Sequence, residues 1–253
     1  MPYLNLKDHR IFYREQGDGP LLLILPGNTA SSACHAGELE CFARHYRVVS
    51  FDFWGTGQSD RLASWPETWW ETGAYDTAAL IEHLGERQAF IMGTSSGGIV
   101  ALLLAILCPD RVCAVIADSC LERYPAALLR MVVAERKQRN EKQIAFWQFA
   151  HGDDWQQVVD ADSHLLLKAS ESGVFDWAQG RLQKISCPVL LTASLCDRSL
   201  PEVGVKFCRM AEQIPECRVF LVNAGDHPLM WSRPKDFFYA SESFLTIVRT
   251  FSV

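Results

Sequence analysis

Phe90-Ile91-Met92-Gly93-Thr94-Ser95-Ser96-Gly97-Gly98 joins an apolar run to the uniformly apolar stretch from Ile99 to Leu107, and this junction decides the fold. The spacing Gly93-x-Ser95-x-Gly97 suits a serine carried on a sharp strand-to-helix turn. Its hydroxyl projects, and the positions two residues away have no room for side chains. The first N–H groups of the following helix lack intrahelical partners, so the N–H of Ser96 is free to donate to an oxyanion forming beside Ser95. Gly98 lets that helix press against the sheet. Chance supplies so short a pattern in ordinary Gly/Ser turns; the strand before it and the helix after it give it catalytic sense.

On either side of the junction, strand and helix signals alternate. Leu21 to Leu25 is a continuous apolar run, the pattern of a strand covered on both faces. It ends in Pro26-Gly27-Asn28-Thr29-Ala30-Ser31-Ser32, a loop with free backbone N–H groups. Val48 to Asp52 is the next strand and closes in the glycine-punctuated loop from Phe53 to Asp60. Residues 75–84 place Ala78, Ile81 and Leu84 at helical spacing, with Gly85 as a stop. Val112 to Ala117 is a further buried strand. Such alternation predicts an α/β fold with a mostly parallel central sheet and helices on both faces. Residues 3–14 alternate loosely and, with the turn residues from Gln16 to Pro20, read as a hairpin at the sheet's edge. Residues 121–185 carry helical patterns and no strand, with Pro125 suited to a first helical turn and Asp154 and Asp176 placed as N-caps. They read as a helical insertion over the sheet's carboxyl edge, where open α/β sheets bind ligands. The sheet resumes at Pro188 to Thr192 and Arg218 to Val222. The expected division is therefore a core of residues 1–120 and 186–253 with a helical cap of residues 121–185.

With 253 residues, 49% of them hydrophobic, the chain is long enough to bury a sizeable core. A net charge of -6 and the lack of a basic stripe argue against nucleic-acid binding. Nine scattered cysteines, an odd number without C-x-x-C, suit a reducing compartment better than a disulfide framework or metal site. The start lacks a basic-then-apolar profile, and the longest apolar run, within residues 99–108, is too short to cross a bilayer. The expectation is a cytoplasmic protein that acts on a small molecule, with no membrane or nucleic-acid partner and no cofactor or metal.

A serine hydroxyl needs a base within hydrogen-bond reach, and the base needs an acid to fix its tautomer. His227 lies just past a buried strand, in Asn223-Ala-Gly-Asp-His227-Pro, at the same sheet edge as Ser95. His9, His45, His83, His151 and His164 fall in hairpin, helix or insertion patterns, where most histidines are surface or satisfied core residues. His35 follows the Gly27 loop and stays open as a pocket residue. For the acid, Asp197 in Leu195-Cys-Asp197-Arg-Ser-Leu-Pro201 follows a strand; its alternative use is to cap the next helix. Asp118, after the strand from Val112, is a second possible acid, and Asp226 stands too close to His227 to orient it.

These features together resemble the α/β-hydrolase fold enzymes of the single-domain, helical-cap type, over about Tyr3 to Phe244. The resemblance rests on the Pro20 to Gly27 strand and loop, Asp52-Phe-Trp-Gly-Thr-Gly-Gln-Ser-Asp60, Gly93 to Gly98, Ile185-Ser-Cys-Pro-Val-Leu, Asp197 and Gly225-Asp-His227. It implies a Ser95, Asp197, His227 triad in that chain order, and it carries a second oxyanion N–H to the residue after Gly27, which is Asn28. The family commonly has His-Gly where this chain has Pro26-Gly27, a departure that bears on how Asn28 is aimed. The haloalkane dehalogenase branch requires aspartate at position 95, so C–halogen cleavage is not implied.

The insertion carries Met131, Phe146, Trp147, Phe149, Trp155 and Trp177, and the loops add Trp54, Trp65, Trp69, Trp70 and Trp231. Each is either cap core or pocket wall. Arg130, Arg136, Lys137 and Arg139 have the chemistry to grip a carboxylate, but their spacing reads first as a solvated helix face. The favoured function is an esterase or related acyl hydrolase acting on a small, fairly apolar substrate. Two alternatives remain: a C–C bond hydrolase of ring-fission vinylogous diketones, and a non-catalytic hydrolase-like receptor.

Overall fold

The computed structural model describes residues 2–251. Strands β1 (Tyr3–Asn5), β2 (Arg10–Gln16), β3 (Leu21–Leu25), β4 (Arg47–Phe51), β5 (Ala89–Thr94), β6 (Val112–Asp118), β9 (Val189–Ser194) and β10 (Cys217–Val222) form one sheet. Their order is β1-β2-β4-β3-β5-β6-β9-β10, and from β4 onward every pairing is parallel. Alternate residues of the apolar runs serve opposite faces. Leu23, Leu25 and Ile91 pack with α2 (Trp69–His83), α3 (Ser96–Leu107) and α7 (Val203–Gln213). Leu22, Ile24, Phe90 and Met92 pack with α1 (Ala36–Phe42), α8 (Leu229–Ser232, through Met230) and α9 (Pro234–Phe251). Helix α3 is buried from Ser96 to Ala105, as a helix apolar all round must be. This is the α/β-hydrolase fold, with helices on both faces of a mostly parallel sheet.

Three details differ from the sequence expectation. The edge hairpin turns at residues 6–9, between β1 and β2, which pair antiparallel. Gly17 to Pro20 instead carries the chain from β2 past β4 to β3, because β2 pairs antiparallel with β4. Gly17, at φ 80, abuts the carbonyls of Ala43 and Tyr46, where a side chain has no space. Helix α2 starts at Trp69 rather than residue 75, burying Trp69 and Trp70 in its first turn.

The third difference lies in the insertion. Short strands β7 (Arg123–Pro125) and β8 (Val174–Asp176) pair antiparallel at its base, where only helices are expected. Three-residue strands show no periodicity. Between them run α4 (Ala126–Arg136), α5 (Glu141–His151) and α6 (Trp155–Ala169). Pro125 immediately precedes α4, and Asn140 with Gln143 forms a capping box on α5. Asp154 precedes α6, but its carboxylate binds Arg61 rather than the helix end; Asp176 accepts the Gln179 N–H of a turn. Among the described residues no helix is long and apolar enough to cross a membrane.

Candidate active site

Strand β5 ends at Thr94 and α3 begins at Ser96, so Ser95 alone makes the turn, at φ 54 and ψ -120. For a residue with a β carbon that conformation costs about 1–3 kcal/mol, and neighbouring bonds hold it in place. The Ser95 N–H donates to the Asp118 carbonyl at 2.8 Å, and the Ser95 carbonyl accepts from Gly98 at 3.0 Å. A side chain at Gly93 would run into the Gly97 carbonyl, and one at Gly97 into the carbonyls of Leu25 and Pro26. The glycines therefore let the start of α3 lie directly against the end of β3.

The loops after β9 and β10 reach the same place. His227 Nε2 is 3.0 Å from Ser95 Oγ, and His227 Nδ1 is 2.7 Å from Asp197 Oδ2. The Asp197 side chain is fully buried, whereas His227 is 26% exposed toward the cavity. The other Asp197 oxygen accepts the Ser199 N–H at 2.8 Å, so one carboxylate both caps a turn and faces the imidazole. An acceptor-only carboxylate at Nδ1 places the ring proton there and leaves the Nε2 lone pair toward the serine hydroxyl. Asp226 accepts its neighbour's backbone N–H, 2.9 Å from His227 N, and leaves the ring alone. His35 is buried against Trp231 and near Glu38, not in the cavity wall.

Asp118 is the other acid the sequence left open, and it has a different task. Fully buried at the end of β6, it accepts from Thr192 Oγ1 at 2.7 Å, Thr94 Oγ1 at 3.0 Å and the Met230 N–H at 3.1 Å. Ser119 Oγ, bonded to it, accepts the Leu229 N–H at 2.9 Å. Asp118 thus ties the chain just after His227 to β5, β6 and β9 without touching the ring. Burial pushes its carboxyl up to about 6, against the pull of those donors. A raised folded pKa means this group favours the fold most below about pH 4 and progressively less as pH rises through about 6, by about 3 kcal/mol in all. Urea unfolding of wild type and Asp118→Asn between pH 4 and 7 tests this: the stability difference should shift in the variant's favour as pH rises. Parallel curves would exclude it.

The loop after β3 completes the site. A β carbon on Gly27 would lie 3.2 Å from Ser95 Cβ, so the loop passes close over the turn despite Pro26. The N–H groups of Asn28 and Ser96 have no acceptor among the described residues, and both residues line the cavity that holds Ser95 and His227. That cavity has a volume of about 320 Å³. Its remaining walls come largely from the insertion: Tyr124, Leu128, Val132, Phe146, Trp147 and Leu166.

Of the aromatics singled out above, only Trp70, Phe146 and Trp147 line this cavity. Trp54 stacks on His9 and Trp65 on Trp69, while Met131 and Phe149 are exposed. Phe175, tilted against Trp70 with ring centroids 4.5 Å apart, is a wall residue the helical reading of the insertion missed. Both residues also line a larger cavity of about 530 Å³ that touches none of Ser95, Asp197 and His227.

Arg136 departs from the solvated face expected of it. Its side chain is 12% exposed, lines the cavity and pairs with the fully buried Asp162 of α6. Arg130 reaches Ser170, and Arg139 pairs with the exposed Asp160. No cluster of His, Cys, Asp and Glu among the described residues is arranged to hold a metal ion. Nothing in the sequence marks Asp162, and His151 reads there only as a surface or satisfied core histidine, because helical periodicity marks a buried face without saying what it meets.

The profile of the Alpha/beta hydrolase family matches residues 22–240. The putative carbamate hydrolase RutD of a Caulobacter species is 24% identical over 257 residues, covering 94% of this chain and 95% of that protein. A 2-(acetamidomethylene)succinate hydrolase from Mesorhizobium japonicum is 34% identical over 106 residues, or 41% of this chain and 37% of its own. The crystal structure of the enol-lactonase from Burkholderia xenovorans superposes with a TM-score of 0.76 at 19% identity, covering 97% of this chain and all (100%) of the other.

Proposed function

The chain belongs to the alpha/beta hydrolase family, and on that footing we propose that it is a serine hydrolase working through an acyl-enzyme on Ser95. The supporting observation is the unbroken relay from Ser95 Oγ to His227 Nε2 at 3.0 Å and from His227 Nδ1 to Asp197 at 2.7 Å. His227 takes the hydroxyl proton as Ser95 attacks the acyl carbonyl, and Asp197 stabilises the imidazolium that forms. The carbonyl oxygen gains charge between the N–H groups of Asn28 and Ser96. Each such donor is worth about 3 kcal/mol of barrier. The imidazolium then protonates the leaving group, and a water activated by the same ring releases the acid. Residues 121–185 act as the cap that walls the substrate in.

The cavity of about 320 Å³ stands at the small end of ligand sites, and its walls are mostly apolar. Small, fairly apolar esters and related acyl substrates therefore fit best. The carbamate and N-acyl substrates named for two relatives extend the class to acyl–nitrogen bonds. A fluorophosphonate probe tests the mechanism: it should label wild-type protein at Ser95, as peptide mass spectrometry reads it, and not label His227→Ala. Absence of labelling in active protein would overturn the reading. Faster turnover of a vinylogous diketone acid than of any ester, lactone or carbamate would move it to C–C cleavage.

A further inference from the structure

The loop that presents the Asn28 N–H has little to hold it from within. Its one internal backbone bond runs from the Ala30 N–H to the Gly27 carbonyl at 3.2 Å. Thr29, a β-branched residue, sits at φ 57, where such side chains are strained. A backbone in that state keeps its shape only if its surroundings impose it. The core supplies one anchor, the Ser32 N–H on Asp52 at 2.7 Å.

The other anchors come from the insertion. Asn28 Nδ2 donates to Asp162 Oδ1 of α6 at 2.6 Å, and the opposite oxygen of Asp162 binds Arg136 of α4. At the next residue, the Thr29 carbonyl is 3.0 Å from His151 Nε2 of α5, and His151 Nδ1 accepts the Gly57 N–H at 3.0 Å. With Nδ1 accepting, the ring proton lies on Nε2 and is given to Thr29. Burial lowers the His151 pKa to about 4, so the ring is neutral near pH 7 and the pattern stands. Arg61 fastens the same corner, binding Asp154 at 2.6 and 2.7 Å and the His151 carbonyl at 2.9 Å.

A fully buried carboxylate is costly to fold around, and a buried ion pair adds little stability over apolar residues of the same size. Asp162 gives one of its two oxygens to the side chain of Asn28, the residue immediately after the glycine that covers Ser95. We propose that Asp162 is a positioning residue for the oxyanion hole: through the Asn28 side chain it aims the Asn28 N–H, with His151 bracing the next peptide, so that docking of the insertion and assembly of the hole are one event. The proposal rests on the serine-hydrolase reading above.

The test uses the full-length protein and the variants Asn28→Ala, Asp162→Ala and their double. Asn28→Ala keeps the backbone donor and removes only its leash, leaving Asp162 paired with Arg136. The readouts are kcat and KM on a short p-nitrophenyl ester and the inhibition constant of an aryl trifluoromethyl ketone. Ser95 Oγ adds to that ketone's carbonyl; its proton passes to His227, and the carbonyl π pair becomes an oxyanion in the hole. Each single variant should lower kcat about 10- to 100-fold, short of or reaching the loss of a whole donor. KM should stay within about 3-fold, and ketone affinity should fall by the same factor as kcat. The double variant should be no worse than the poorer single, since both cut one tether. Unchanged kcat and ketone affinity, or losses that multiply in the double, would overturn the proposal. Should Asp162→Ala not fold, Asn28→Ala decides on kcat, KM and the ketone alone. Wild-type protein that takes neither ketone nor fluorophosphonate removes the serine-hydrolase reading and this proposal together; normal wild-type labelling with unaltered variants removes the tether only.

Discussion

Ser95→Ala should lower kcat for a short p-nitrophenyl ester by about a million-fold, the scale on which loss of a triad nucleophile is felt. The serine oxygen lies 3.0 Å from His227 Nε2 and is the atom to which the acyl group would be joined. Without it the imidazole has no hydroxyl to deprotonate, and only binding and the N–H groups of Asn28 and Ser96 remain to assist water. The substitution keeps the β carbon, so the strained φ of 54 is no worse, and the melting temperature should barely move. Activity lost with the fold intact would assign the loss to chemistry. A variant that retains the wild-type rate would eliminate Ser95 as nucleophile.

Asp197→Asn should cost about ten-thousand-fold in kcat, with the structure again preserved. The amide oxygen can still accept the Ser199 N–H, now made by Asp197 Oδ1 at 2.8 Å. Its NH2 group then meets His227 Nδ1 and donates to it, which moves the ring proton to Nε2 and turns the base away from Ser95. The same change at Asp118 disturbs the Thr94, Thr192 and Met230 bonds but leaves the tautomer alone. Its effect on kcat should be far smaller. A larger loss from Asp118→Asn than from Asp197→Asn would reverse the two roles.

Much of the site was legible because its chemistry demands local sequence. The Ser95 turn needs glycine at 93 and 97, where any side chain meets a carbonyl, and the strands flanking it are long enough to show their burial. The acid was harder to read: Asp118 and Asp197 both follow parallel strands at one sheet edge, and only coordinates reveal which carboxylate meets the ring. Least legible was whatever depends on one element landing on another. Arg136 sits in a helix whose charges at helical spacing suggest water; nothing in that spacing announces the buried Asp162 across the packing interface. His151 looked like one more insertion histidine, since its partners are backbone groups of Thr29 and Gly57. Strands of three residues at β7 and β8 fall below any periodic signal.

The chamber around Ser95 has two authors. Its floor is built by core loops in which a side chain added at Gly93 or Gly97 would run into a carbonyl, while its sides are mostly aliphatic and aromatic groups on α4, α5 and α6. If the proposed acyl chemistry holds, preference for one acyl group over another would drift, or could be engineered, by trading wall residues such as Leu128, Val132 and Phe146 with Ser95, His227 and Asp197 left alone. That freedom ends at Asp162, where wall and machinery share a single carboxylate.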